Sequence, residues 1–266
     1  MSRTRRAGLA FTLMQMGQLA RRSVMRTLRQ PAQIVPALVF PLFLLAVNSS
    51  GLSSAINLPG FPTRSYLTFA LAVPFMQGAL FAAMNAGTDL ANDVESGFFN
   101  RLALTPLAAP ALLAGMLGGA LALGVVQAVT FLLVGVAAGA GFAAGPGGAL
   151  TILALSIVMS VGFGSLGAFV ALRTGSGEAV QTMFPLFFVS LFLSSMSLPR
   201  DLIQTDWFRT IATYNPVSYL IEGIRSLLIT GWDARALALG FAVAAGVVVV
   251  GLAAASLALR TRLVRT

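Results

Sequence analysis

Six stretches, residues 31–48, 66–90, 107–138, 148–172, 179–198 and 235–259, run almost without charge and are each long enough to be read as a bilayer crossing. A helix needs about 20 mostly apolar residues to cross the hydrocarbon layer. Inside that layer each backbone amide must find its partner within the protein, and a continuous apolar run does so only as a helix. The expected fold is an all-α polytopic membrane protein, a single domain over residues 1–266 with six transmembrane helices. Composition agrees, because 57% of the residues are hydrophobic and 9% charged, whereas a soluble domain carries about a quarter charged residues. The third run is too long for one straight crossing, so its first turns are assigned to the connection before it.

What is missing narrows the chemistry. All 17 basic residues are arginine, and there is no lysine, histidine or cysteine. A Walker A loop needs its lysine at the phosphates, so the chain cannot hold a standard one. Zinc sites of Cys and His, Ser-His-Asp triads and cysteine nucleophiles are excluded in the same way. No catalytic residue, metal site or cofactor of its own is therefore expected. The net charge of +9 is read as a cytoplasmic membrane surface, with no nucleic-acid partner. The start, MSRTRRAGLAFTLMQMG, has a short, glutamine-rich apolar part and no small-residue cleavage site, and is expected to be retained.

Arginine asymmetry sets the orientation. With both termini in the cytoplasm, twelve arginines fall inside: Arg3, Arg5, Arg6, Arg21, Arg22, Arg26, Arg29, Arg101, Arg173, Arg260, Arg262 and Arg265. Five fall outside: Arg64, Arg200, Arg209, Arg225 and Arg235. An even number of crossings keeps the termini together, so the expected location is the cytoplasmic membrane, multi-pass. Exclusive use of arginine fits a high-GC, bacterial genome.

Before the first crossing, residues 9–30 form an expected interfacial helix. Leu9, Leu13, Met16, Ala20, Val24 and Leu28 make one stripe, with Gln15, Gln18, Arg22, Arg26 and Arg29 opposite. Such a helix lies in the membrane surface with its arginines reaching lipid headgroups. Pro31 then turns the chain inward. The last outer connection, 199–234, holds two helical stretches too short or too polar to span. Asn215 is a plausible N-cap and Pro216 a first helical residue. The two stretches predict a re-entrant hairpin between the fifth and sixth crossings, which survives only when packed on protein or lining a cavity.

The connection 92–106, NDVESGFFNRLALTP, carries more than a connector needs. Asp93 and Glu95 suit a basic partner, and Phe98 and Phe99 suit a protein contact. Arg101 suits either an acid on a partner or a lipid phosphate. Glu222 and Arg225, three apart, share a face and can pair. Gly115 with Gly119, and Ser160 with Gly164 and Ala168, form small-residue stripes, read first as packing within the chain. In the fifth run, Phe184, Phe188, Ser190 and Ser194 are candidates for a pathway surface, against the alternative of lipid-facing rings and helix-bonded hydroxyls. The run centres carry no charge and the halves do not repeat, so no built-in energy source is visible.

These features together resemble the ABC-2 type exporter permeases, in particular their daunorubicin and drug-resistance-like branch. The matching residues are Asp93-Val94-Glu95-Ser96-Gly97-Phe98-Phe99, Leu102–Pro106, Leu198-Pro199, Asn215-Pro216, Glu222-Gly223-Ile224-Arg225 and Gly231. The resemblance implies a permease subunit that exports a hydrophobic or amphiphilic compound. It implies two cytoplasmic ATP-binding subunits holding ATP and Mg, and a second permease copy or paralogue. Asp93, Glu95, Gly97, Phe98, Phe99, Arg101 and Pro106 would couple to the ATPase. Asn215, Pro216, Glu222 and Arg225 would belong to an outer gate. Two alternatives stand beside it: export of a lipid or lipid-linked glycan by the same fold, and an energy-independent channel.

Overall fold

Helix α1 (Ser2–Leu28) stops before the Gln30-Pro31 step, where the proline ring disfavours helical backbone in the preceding residue, and α2 (Pro31–Gly51) begins with that proline in its first turn. A computed structural model describes residues 2–97, 112–113, 115 and 117–263, with side chains described between Met14 and Arg262. A short helix α3 (Tyr66–Ala70) starts at Ser65, whose Oγ accepts from the Thr68 amide, and runs through one break into α4 (Ala72–Glu95). The long helices α5 (Gly118–Ala137) and α6 (Gly145–Thr174) follow. Then come α7 (Gly177–Gln181), α8 (Met183–Phe192), α9 (Asp206–Tyr214), α10 (Pro216–Ile229) and α11 (Ala234–Leu263). Single 3-10 turns occupy Ser53–Asn57 and Arg200–Leu202.

Among the described residues, five helical segments are long and apolar enough to cross a membrane: Pro31–Gly51, Tyr66–Glu95, Gly118–Ala137, Gly145–Thr174 and Ala234–Arg262. The expected fifth crossing at 179–198 has a different form. Its helix is the shorter apolar segment Gly177–Phe192, and turns carry the chain from there to Pro199.

α3 and α4 together make the central post, since 83% of the most apolar stretch of Tyr66–Glu95 is buried against 17% for α2 and α11, and α4 is its longer part. Its closest neighbour is α6. A Cβ added at Gly167 would collide with the Ala83 carbonyl, so glycine sets how near the two axes come. The small-residue stripes serve packing within the chain: Gly115 meets Leu19, Gly119 meets Ser23 and Thr27, Ser160 meets Gly124, and Gly164 meets Ala120. α1 and the starts of α2 and α5 share one end of the bundle with the last turns of α4, α6 and α11. α9 and α10 sit at the other. Each end has its own apolar core, one around Phe69, Leu155 and Ile224, the other around Leu90, Leu172 and Leu259.

Candidate functional site

At the α1 end, α4 finishes with Asp89, Asp93 and Glu95, three carboxylates at the negative end of its dipole. Two arginines of α1 offset them. Asp89 and Asp93 are four apart on one face of α4, as Arg22 and Arg26 are on α1. Arg22 grips Asp93 in a fork, with Nη1 and Nη2 each 3.1 Å from an oxygen. Arg26 places Nη1 2.8 Å from Asp93 Oδ1 and Nε 3.2 Å from Asp89 Oδ1.

This arrangement corrects the expectation for α1. The face turned to the protein is Leu19, Ser23 and Thr27, and the Ser23 hydroxyl accepts from the Gly119 amide at 2.9 Å. That face is rotated by roughly a quarter turn from the apolar stripe at 100° per residue. Arg22 and Arg26 are therefore carried onto the acids of α4 instead of out to headgroups, and Leu28 and Met25 are exposed. The physical reason is that partly buried carboxylates are costly without a partner, and Arg22 and Arg26 supply it.

Asp93 is buried, while Glu95, two residues on, is exposed. The chain leaves α4 at Gly97 with φ +69°, a conformation that costs glycine little. Phe98, Phe99, Arg101 and Pro106 lie outside the described residues.

On one flank, phenylalanines from three helices form a continuous aromatic wall. Phe184 and Phe188 of α8 lie 4.6 Å apart between ring centroids. Phe81 of α4 is 5.6 Å from Phe184, and Phe40 of α2 is 5.8 Å from Phe188. Phe192 continues the row outward at 5.9 Å from Phe188 and is exposed. The serines do not join this surface as donors. Ser190 donates to the Leu186 carbonyl of its own helix, and Ser194 is buried and donates to the Leu191 carbonyl.

At the opposite end, side chains of α3 and α10 explain why α8 can stop at Phe192. Each carbonyl released there needs a donor. Asn215, the N-cap of α10, accepts from the Val217 amide and gives its own amide to the carbonyls of Ser190 and Leu193, at 2.6 and 3.1 Å. Arg225 donates to the carbonyls of Ser195, Met196 and Phe69, at 2.9, 3.0 and 3.1 Å. Tyr66 donates its hydroxyl hydrogen to the Ser197 carbonyl at 3.0 Å, and the Ser218 hydroxyl accepts from the Ser195 amide at 3.1 Å.

Glu222 and Arg225 do not form an ion pair with each other. Glu222 is bonded to Arg200 at 2.5 Å, and the Arg200 guanidinium also stacks 4.6 Å from the Tyr219 ring centroid. Burial lowers the Arg200 proton affinity, but the Glu222 carboxylate and Tyr219 outweigh it and hold the group above its ordinary value. Burial pushes Arg225 down to about 9, which leaves it cationic at neutral pH. Between these groups a cavity of about 500 Å³ opens at this end, lined by Phe69, Arg200, Arg209, Glu222, Ile229 and Asp233.

Sequence reasoning brought Asn215, Pro216, Glu222 and Arg225 together but missed Arg200, Tyr66 and Ser218. The available signal was the tail of the fifth run, Leu193–Pro199, where three serines and a proline interrupt an apolar helix. Also missed were Gln77 and Gln127, buried within α4 and α5; the amide of Gln127 donates to the Ala37 carbonyl at 3.2 Å and ties α5 to α2.

The family model described as ABC-2 type transporter matches residues 14–229. The chain is 29% identical over 213 residues to the daunorubicin resistance ABC transporter permease protein DrrB1 of Streptomyces coeruleorubidus, covering 78% of this chain and 72% of that one. It is 26% identical over 220 residues to a chain named as a transport permease, ycf38, of Porphyra purpurea, covering 81% and 74% of the two.

Proposed function

The chain belongs to the ABC-2 type transporter family, and from that premise we propose that it is the membrane subunit of an ATP-driven exporter moving a hydrophobic or amphiphilic compound out across the cytoplasmic membrane. The α1 end faces the cytoplasm in this reading, which follows the arginine asymmetry. The segment Gly177–Phe192, extended by the turns to Pro199, serves as the fifth of six crossings. α9 and α10 form the re-entrant hairpin at the outer end. ATP and Mg reside on a separate ATP-binding subunit, two of which pair with two permease chains.

The observation that carries the coupling reading is the division of labour among the acids at the end of α4. Glu95 is exposed beside the Gly97 turn, whereas Asp93 is locked to α1. A force delivered by the ATPase at Glu95 and the segment through Pro106 would reach α4 directly and α1 through Arg22 and Arg26. α4 is packed too tightly on α6 to move alone, so the push would tilt both helices. At the outer end the Arg200–Glu222 pair would open as the hairpin shifts. The phenylalanine wall of Phe40, Phe81, Phe184 and Phe188 offers an aromatic amphiphile the flat contact that such rings favour. The name of the Streptomyces relative suggests a cargo of this kind.

Co-reconstitution with an ABC-type ATP-binding subunit tests the reading. Cargo-stimulated ATP hydrolysis is expected from the pair, with severalfold loss in Glu95→Ala/Phe99→Ala. A pair that does not assemble, or whose stimulation survives that double substitution, would sink it.

A further inference from the structure

A groove of about 470 Å³ runs between α1, α5, α6 and α11. Ala20 and Val24 form one wall, Leu117 and Leu121 the second, and Val161 with Leu252 the floor. At roughly 30 Å³ per water-sized group it has room for about sixteen methylene-sized groups, which is one acyl chain. The residues next to its lining on two helices are of a different kind. Arg21 follows Ala20 on α1, about 60° round the helix from Val24, and Arg260 lies one turn beyond Ser256, the hydroxyl at the α11 edge. Both arginines are exposed.

An apolar slot with two exposed cations within one helical turn of its lining residues calls for an apolar chain with an anionic head. A second copy of this protein fits poorly. Of the eight acids, Asp89 and Asp93 are held by α1, and Asp201, Asp206, Glu222 and Asp233 lie at the other end of the bundle. That leaves Glu95 and Glu178 at this end. Phospholipid headgroups are the abundant anions at a membrane surface. We propose that the groove binds one acyl chain of an anionic phospholipid, with Arg21 and Arg260 holding the headgroup phosphate. The lipid would sit against the helix that carries Arg22 and Arg26, and so would set the position of α1 over the end of α4. The site requires only the chain in a bilayer and stands apart from the identity of any cargo.

The test is lipid retention by the full chain, extracted in mild detergent from vesicles of equal phosphatidylglycerol and phosphatidylcholine and read by native mass spectrometry. One phosphatidylglycerol per chain is expected for the unmodified protein. Leu121→Trp and Val24→Trp, which fill the groove from opposite walls, should each lower its retention about tenfold, and Leu133→Trp on the exposed face of α5 should not. Arg21→Gln/Arg260→Gln should keep a lipid but lose about thirtyfold in preference for the anionic head, about fivefold for each arginine's share of headgroup attraction. Unchanged retention in both tryptophan variants, or an unchanged headgroup preference, would overturn the proposal. So would loss of a dimer in Leu121→Trp with lipid retention intact, because a second copy would then be the occupant.

Discussion

The guanidinium carbon of Arg225 stands 3.6 Å from the centroid of the Phe69 ring, and its Nε donates to the carbonyl of the same residue. One side chain of α10 thereby holds α3 by face and backbone at once, while its two other nitrogens hold the turn after α8. Arg225→Ala would leave three buried carbonyls without donors, at about 1–3 kcal/mol each. A loss of at least ~3 kcal/mol is expected, read as a fall in the melting temperature of the detergent-solubilised chain. Arg225→Lys should recover little, because a single ammonium cannot reproduce the planar fork or the ring stacking.

Two acids at the end of α4 should separate stability from coupling. Asp93→Ala leaves Arg22 and Arg26 facing each other and is expected to cost roughly 1–3 kcal/mol, between the surface and buried limits for an ion pair. Glu95→Gln removes an exposed charge and should change stability by less than about 0.5 kcal/mol. It should nevertheless lower cargo-stimulated ATP hydrolysis in the reconstituted pair. Equal melting temperatures for the two variants would contradict the burial difference.

Helix contact distance is set by glycine at one crossing and not at another. Gly167→Ala places a methyl group on the Ala83 backbone carbonyl and is expected to destabilise the chain by more than ~3 kcal/mol, or to prevent its accumulation. Gly246→Ala, in α11 with open space around it, should be neutral or stabilising by up to about 1 kcal/mol through helix propensity. Membrane expression and thermal unfolding of the two variants measure the contrast.

The aromatic wall should govern cargo affinity while the neighbouring hydroxyls do not. Phe188→Ala is expected to weaken binding of an aromatic amphiphile by roughly tenfold, on the order of one ring contact plus its buried area. Ser190→Ala should alter it less than twofold, since that hydroxyl is already bonded within its own helix. Fluorescence titration of a planar aromatic dye against the reconstituted protein distinguishes them.

The apolar runs alone determined that this is an all-α membrane protein, because bilayer crossing depends on local length and hydrophobicity. Proline and cap residues marked two helix starts: α2 starts at Pro31, and α10 starts with Asn215 as cap and Pro216 after it. Partner choice was another matter. Glu222 has Arg225 one turn away and Arg200 twenty-two positions away, and it binds the distant one. Arg225 is drawn instead into the gap where α8 ends, since carbonyls that no water reaches need its donors more than Glu222 does. In the same way, 100° periodicity found the apolar stripe of α1, but the buried carboxylates of α4 decided which face turned inward. Local sequence carries the solvent preference of each segment. The pairing of scarce charges is settled only when folding brings distant segments together, because the energy of burying a charge depends on every group around it.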